Sequence, residues 1–136
     1  MQDPFVGTWI LNVAKSEFDA NHRPQAGTMT VELDSEGYYL QQAEGRNEKG
    51  EPVTERPMRF LPDGQHHPIE GLPGLKYKAA RVDAKTMTSE ASREDGSIVG
   101  GATTVISGDG RSKTVTSFGY DTQLRQFQMK TVWDRQ

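Results

Sequence analysis

Short stretches of alternating apolar and polar residues run the length of the chain, and no window sustains the i, i+3, i+4, i+7 spacing of an amphipathic helix. Alternation with period two is the signature of strands with one buried face. The pattern, rich in Val, Thr, Ile, Tyr and Phe, predicts strands over 5–11, 28–33, 38–44, 53–60, 66–69, 75–82, 86–92, 98–106, 111–119 and 127–134. Turn chemistry separates most of them: Asp34-Ser35-Glu36-Gly37, Pro62-Asp63-Gly64, Val82-Asp83-Ala84-Lys85, Glu94-Asp95-Gly96 and Gly108-Asp109-Gly110 supply residues that tolerate tight hairpins. Neighbouring strands therefore pair antiparallel. Longer connections (12–27, 45–52, 70–74, 93–97, 120–126) alternate with shorter ones (34–37, 61–65, 83–85, 107–110). In a meander, alternate turns fall at the same end. The expected fold is an all-β, single antiparallel up-and-down β-barrel of about 8–10 strands, with a loop-rich mouth, a neat base and first and last strands paired.

The alternation also assigns faces. With Trp9 inward, Phe5, Gly7 and Leu11 share its face; on the last strand Phe127, Met129, Thr131, Trp133 and Arg135 go together. Closure then sets Arg135 over Trp9 as a structural seal of the base, a contact of about 0.5–2 kcal/mol. Elsewhere the inward sets are Met29, Val31 and Leu33; Tyr38, Leu40 and Gln42; Arg56, Met58 and Phe60; Leu75, Tyr77 and Ala79; Met87, Ser89 and Ala91; and Val115 and Ser117. Many of these are small or polar, so a barrel of this size is left with a partly polar cavity. The candidate ligand-binding residues are Met29, Tyr38, Gln42, Arg56, Met58, Tyr77, Ser89, Phe127 and Met129. A structural reading stands beside this: Arg56 and Gln42 can satisfy each other, and Tyr38 and Tyr77 can serve packing alone. The 12–27 connection, with Phe18 and His22, is placed across the mouth as a lid or lies as a plain surface loop.

Length and charge narrow the possibilities. At 136 residues the chain is expected to form one domain, 1–136. Only 33% of residues are apolar and the mean hydropathy is -0.75, which gives a lean core. Sixteen Lys and Arg stand against 19 Asp and Glu, a net charge of -3 that offers no basic field to nucleic acid. Cysteine is absent, removing disulfides and thiolate chemistry, and no apolar run is long enough to span a membrane. The start, Met1-Gln2-Asp3-Pro4, has no signal-peptide features. The protein is then cytoplasmic, or it is exported and Met1 stands where a signal peptide was removed.

The opening Phe5-Val6-Gly7-Thr8-Trp9-Ile10-Leu11-Asn12 and closing Thr131-Val132-Trp133-Asp134-Arg135-Gln136 resemble the first and last strands of the calycin superfamily, which shares a Gly-x-Trp start and a basic residue packed over that tryptophan. From Asp3 to Gln136 the chain is similar to bacterial lipocalin-like domains with no assigned function, which begin Asp-Pro-Phe-x-Gly-Thr-Trp and are usually exported. The resemblance implies a lipocalin-like barrel, favours a periplasmic or secreted location, and brings no catalytic residues. Fatty-acid-binding proteins carry an inward arginine on the last strand where Thr131 stands here, which argues against a carboxylate clamped in that manner.

Candidate chemistry adds little. His66 and His67 face opposite ways on an extended segment, no metal-ligand spacing exists, and neither a metal nor a cofactor is expected. Nucleophile-elbow, phosphate-loop and dinucleotide motifs are missing. The sequence thus favours a carrier, monomeric or weakly dimeric, that takes up or sequesters a small hydrophobic or amphipathic molecule in the barrel. The alternative is a β-barrel isomerase, cyclase or hydrolase using ionisable cavity residues, with Glu44, Arg56, Tyr77 and His67 as candidates.

Overall fold

The computed structural model describes residues 3–20, 23–120 and 124–136. Eleven strands follow one another: β1 (Gly7–Glu17), β2 (Ala26–Leu33), β3 (Tyr39–Arg46), β4 (Pro52–Thr54), β5 (Met58–Phe60), β6 (Asp63–Pro68), β7 (Leu75–Asp83), β8 (Thr86–Arg93), β9 (Ile98–Ile106), β10 (Ser112–Tyr120) and β11 (Gln126–Arg135). All pairings are antiparallel, in the order β4-β3-β2-β1-β11-β10-β9-β8-β7-β6, with β5 also paired to β3. This is an up-and-down meander in which the first strand joins the last.

The single strand expected over 53–60 is two. Pro57, which has no N–H to give to a ladder, falls between β4, paired with Glu44–Arg46, and β5, paired with Tyr39–Gln41. Among the described residues no ladder joins β5 to β6, so the barrel has a seam there. Side chains bridge it: Tyr77 accepts from the Leu61 N–H at 3.0 Å, Arg81 donates to the Tyr39 hydroxyl at 3.1 Å, and Arg56 donates to the Glu70 carbonyl.

Most turns are built by an aspartate that accepts from the N–H two residues on: Asp34 from Glu36, Asp63 from Gln65, Asp83 from Lys85, Asp95 from Ser97 and Asp109 from Arg111. Asp34 also accepts from the Tyr38 N–H at 3.0 Å, and its N–H bonds to the Tyr38 carbonyl. The first of these hairpins is thereby one residue longer than its sequence signal, with Leu33 opposite Tyr39. That slip turns β3 over. Tyr39 and Ala43 are buried, while Leu40 and Gln42 face out, correcting the expected face of Tyr38, Leu40 and Gln42.

At the base, Trp9 is fully buried and pairs with Arg135 across β1 and β11. The guanidinium carbon sits 4.2 Å from the indole centroid. Arg135 donates to the carbonyls of Gly110 (2.8 Å), Val6 (2.7 Å) and Pro4 (2.8 Å), tying the β9–β10 turn and the N-terminal segment to the last strand. Gly7 is required here: its φ is +145°, and a Cβ would come within 2.4 Å of the Arg135 guanidinium. A second cluster completes the seal. Phe5 packs edge-on against Tyr39, which stacks on Phe60, and Asp3 takes the Tyr39 hydroxyl and the Arg81 guanidinium. Burial first, then the Asp3 carboxylate, pushes the Tyr39 phenol well above its ordinary value.

Arg135→Ala should lower the melting temperature by roughly 5 °C or more, since several charge-assisted bonds and a cation–π contact go together. Gly7→Ala should act in the same direction by displacing the guanidinium. A thermal unfolding curve unchanged by either substitution would show that the seal contributes nothing to stability.

Candidate functional site

Along the neighbouring strands β3, β2, β1, β11 and β10 lies a cavity of about 640 Å³, within the roughly 300–1,000 Å³ typical of small-molecule sites. Leu11, Met29, Ala43, Val115, Met129 and Trp133 give it apolar walls, and Phe18 covers it from the connection after β1. Ladder register brings them together: Met29 stands opposite Ala43, Val115 opposite Thr131 and Ser117 opposite Met129. The polar wall atoms are partly spent on one another, Trp133 Nε1 donating to Thr131 Oγ1 at 3.0 Å and Thr131 Oγ1 to the Val115 carbonyl at 3.4 Å. The rim is charged with both signs: Arg23, Glu44, Arg46, Glu48, Lys49, Glu51 and Glu55. An apolar interior below a mixed-charge rim suits an apolar or amphipathic guest.

The expected lid is shorter than the sequence suggested. β1 continues through Glu17, kept in the sheet across an irregularity after Asn12: the Ser16 hydroxyl donates to the Asn12 carbonyl at 2.7 Å and accepts from the Val132 N–H at 2.8 Å. Phe18, half-buried, packs against the core and lines the cavity. His22 lies outside the described residues.

Of the nine candidate ligand-binding residues, Met29 and Met129 line the cavity. The other seven do not. Tyr38 is half-buried under the Arg59 guanidinium, 3.8 Å from its ring centroid, and Gln42 is exposed, both through the turnover of β3. Arg56 is exposed and spans the seam, where its guanidinium fills the space a side chain at Gly71 would need. Met58 lies opposite Gln41 on the correct face but is 44% exposed, because the sheet ends beside it. Tyr77 is buried at the seam, its ring against His67, which sits 2.9 Å from Asp63 Oδ2. Ser89 keeps its expected face, opposite the buried Ala79, but stands clear of these walls, and the half-buried Phe127 packs over Gly119. Of the residues weighed for a reaction, Glu44 is on the rim, Arg56 and Tyr77 at the seam, and His67 beside Tyr77, so the four do not meet at one point.

Sequence reasoning missed Lys113. It points inward between Ile106 and Trp133 and is 3% exposed. Its Nζ lies 3.0 Å from Met29 Sδ, a weak acceptor, and 4.7 Å from the Trp9 centroid. Among the described residues no carboxylate pairs with it; the charge that acts on it is Arg135. Burial, reinforced by that like charge, brings its pKa down to about 7. The signal was available, since Lys113 is two residues before Val115 and shares its face.

No protein-family model matches the sequence, and no curated protein does. Solved structures do match in fold. The fluorescent protein UnaG superposes with a TM-score of 0.65 at 13% identity, covering 100% of both chains. Zebrafish ileal bile acid-binding protein, complexed with cholic acid, gives 0.60 at 14% identity over 98% of this chain and 99% of its own. As-p18, an extracellular fatty acid binding protein, gives 0.56 at 14% over 98% and 97%. The fold is thus the antiparallel up-and-down β-barrel of those structures, as expected from the sequence.

A lysine whose folded pKa is about 7 and whose unfolded value is about 10.4 binds fewer protons when folded throughout that interval. The penalty for burying it is therefore full below pH 7 and fades as pH rises toward 10. Lys113→Met should raise the melting temperature most at pH 6–7, by several degrees, with the gain shrinking by pH 9.5. A gain independent of pH, or none, would contradict the buried amine.

Proposed function

We propose that this protein is a carrier that takes up or sequesters a small apolar or amphipathic molecule in its barrel. The observation that carries the reading is the cavity itself, about 640 Å³ with six apolar wall residues under a charged rim. A folded chain with a lean core would not keep such a volume empty without cost, because the lining groups forgo contact with other atoms. Two structures with the same fold are described as binding proteins, for bile acid and for fatty acid.

The whole chain acts as one domain, monomeric or weakly dimeric. Residues Met29 and Met129, on the two strands that flank β1, contact the guest, with Phe18 beside it. The N-terminal resemblance to exported bacterial domains supports a periplasmic or secreted location, and As-p18 is a barrel of this fold described as extracellular. No helix among the described residues is long and apolar enough to cross a membrane. The dispersal of Glu44, Arg56, Tyr77 and His67 weighs against the enzymatic alternative built on those residues.

Apolar dyes should bind with micromolar dissociation constants and quench Trp133, which lines the cavity. Ser117→Trp, filling the space from β10, should weaken binding at least tenfold, whereas Thr116→Trp, on the outer face of the same strand, should leave it unchanged. Native mass spectrometry of protein from its source should show a retained small molecule. Failure of every dye to bind, with no retained mass, would defeat the carrier reading.

A further inference from the structure

The amine of Lys113 is buried just behind Met29 in the cavity wall, and no carboxylate among the described residues balances it. A lysine ammonium brings three donors, and Lys113 meets a thioether and an aromatic face. Neither compensates the loss of water around a charge, and a methionine or leucine in the same space would cost the fold less. The side chain is also placed where a guest would find it. Met29, whose sulfur touches Nζ, lines the cavity, and so does Trp133, directly opposite Lys113 in the ladder. Met29 is unbranched and has free volume beside it, so it can swing aside to bare the nitrogen.

We propose that Lys113 is a covalent capture site for an apolar aldehyde, joining it as an imine at the wall of the cavity. This rests on the carrier reading and names the ligand class. The Nζ lone pair attacks the carbonyl carbon, forming the C–N bond. A proton passes from nitrogen to the carbonyl oxygen to give a carbinolamine, and loss of water leaves the C=N bond. The step is reversible by the same water and requires no oxidant or reductant.

An aldehyde suits this wall better than a carboxylate. An anion would have to shed its water among Leu11, Met29, Val115 and Trp133 with Lys113 as the one cation beside them among the described residues, because Arg135 is already committed to three backbone carbonyls. A neutral carbonyl carries no such cost. The amine is also competent near neutral pH, with its pKa at about 7, while exposed lysines stay protonated.

Decanal with sodium cyanoborohydride is the test, followed by peptide mass mapping of the reduced adduct on the full chain at pH 7. Lys113 should be alkylated at least tenfold faster than any exposed lysine, and saturating apolar dye should suppress that labelling. Lys113→Met and Lys113→Arg should lose the fast adduct while still binding dye, the second variant serving if the first alters the fold. Labelling confined to exposed lysines, in protein that binds dye, would overturn the capture site and leave the carrier reading standing. Decanoate bound more tightly by the unmodified chain than by Lys113→Met, with no adduct, would likewise overturn it in favour of an anion site. Absence of both dye binding and adduct would remove both readings.

Discussion

Joining the first strand to the last fixes one pair of residues, Trp9 and Arg135, and the rest of the barrel is organised around that pair. The indole needs burial and a partner for its N–H, which the Phe5 carbonyl provides at 3.2 Å. The guanidinium needs acceptors, and it finds three of them in two chain segments that are distant in sequence. Each requirement alone is ordinary. Together they determine where β1 begins, why residue 7 has no side chain, and how the N-terminal turn comes to lie under the barrel. The same indole neighbours Lys113, so the structural seal and the reactive amine share a residue.

That sharing creates a tension inside one small protein. Arg135 is held for stability, and its charge helps keep the neighbouring lysine from holding a proton. Stability is surrendered at Lys113 and recovered a few ångströms below it. Cavities have the same character: volume left unfilled by Val115, Ser117 and Ala43 weakens the core and makes room for a guest.

Much of this was written in the alternation of the chain. Hairpin spacing, antiparallel order and the face of Trp9 follow from period two and turn chemistry, because each is decided within a few residues, and closure of the terminal strands follows from the meander they build. Faces that depend on an exact turn length were not legible. Gly37 marks a tight turn, but a second hydrogen bond, donated by the Tyr38 N–H to the Asp34 carboxylate, draws one more residue into it, and Tyr38 and Tyr39 exchange roles. Arg56 read as an inward cation because the strand was assumed to run unbroken; Pro57 ends the pairing, and the guanidinium goes to the Glu70 carbonyl. Lys113 was passed over because a lysine on an apolar face conflicts with the usual cost of burial, although its position next to Val115 and Ser117 already placed it inside.

The seam between β5 and β6 bears on time as much as on shape. A barrel laddered all the way round can exchange its contents only through its mouth or by breaking a row of backbone bonds, a rare event tied to global unfolding. Here one wall is held by a guanidinium on a carbonyl, a second guanidinium on a phenol and another phenol under an N–H. Such contacts part far more often than a strand pair does. Residence time is thereby decoupled from the lifetime of the fold, and a guest could come and go while Trp9 and Arg135 never separate.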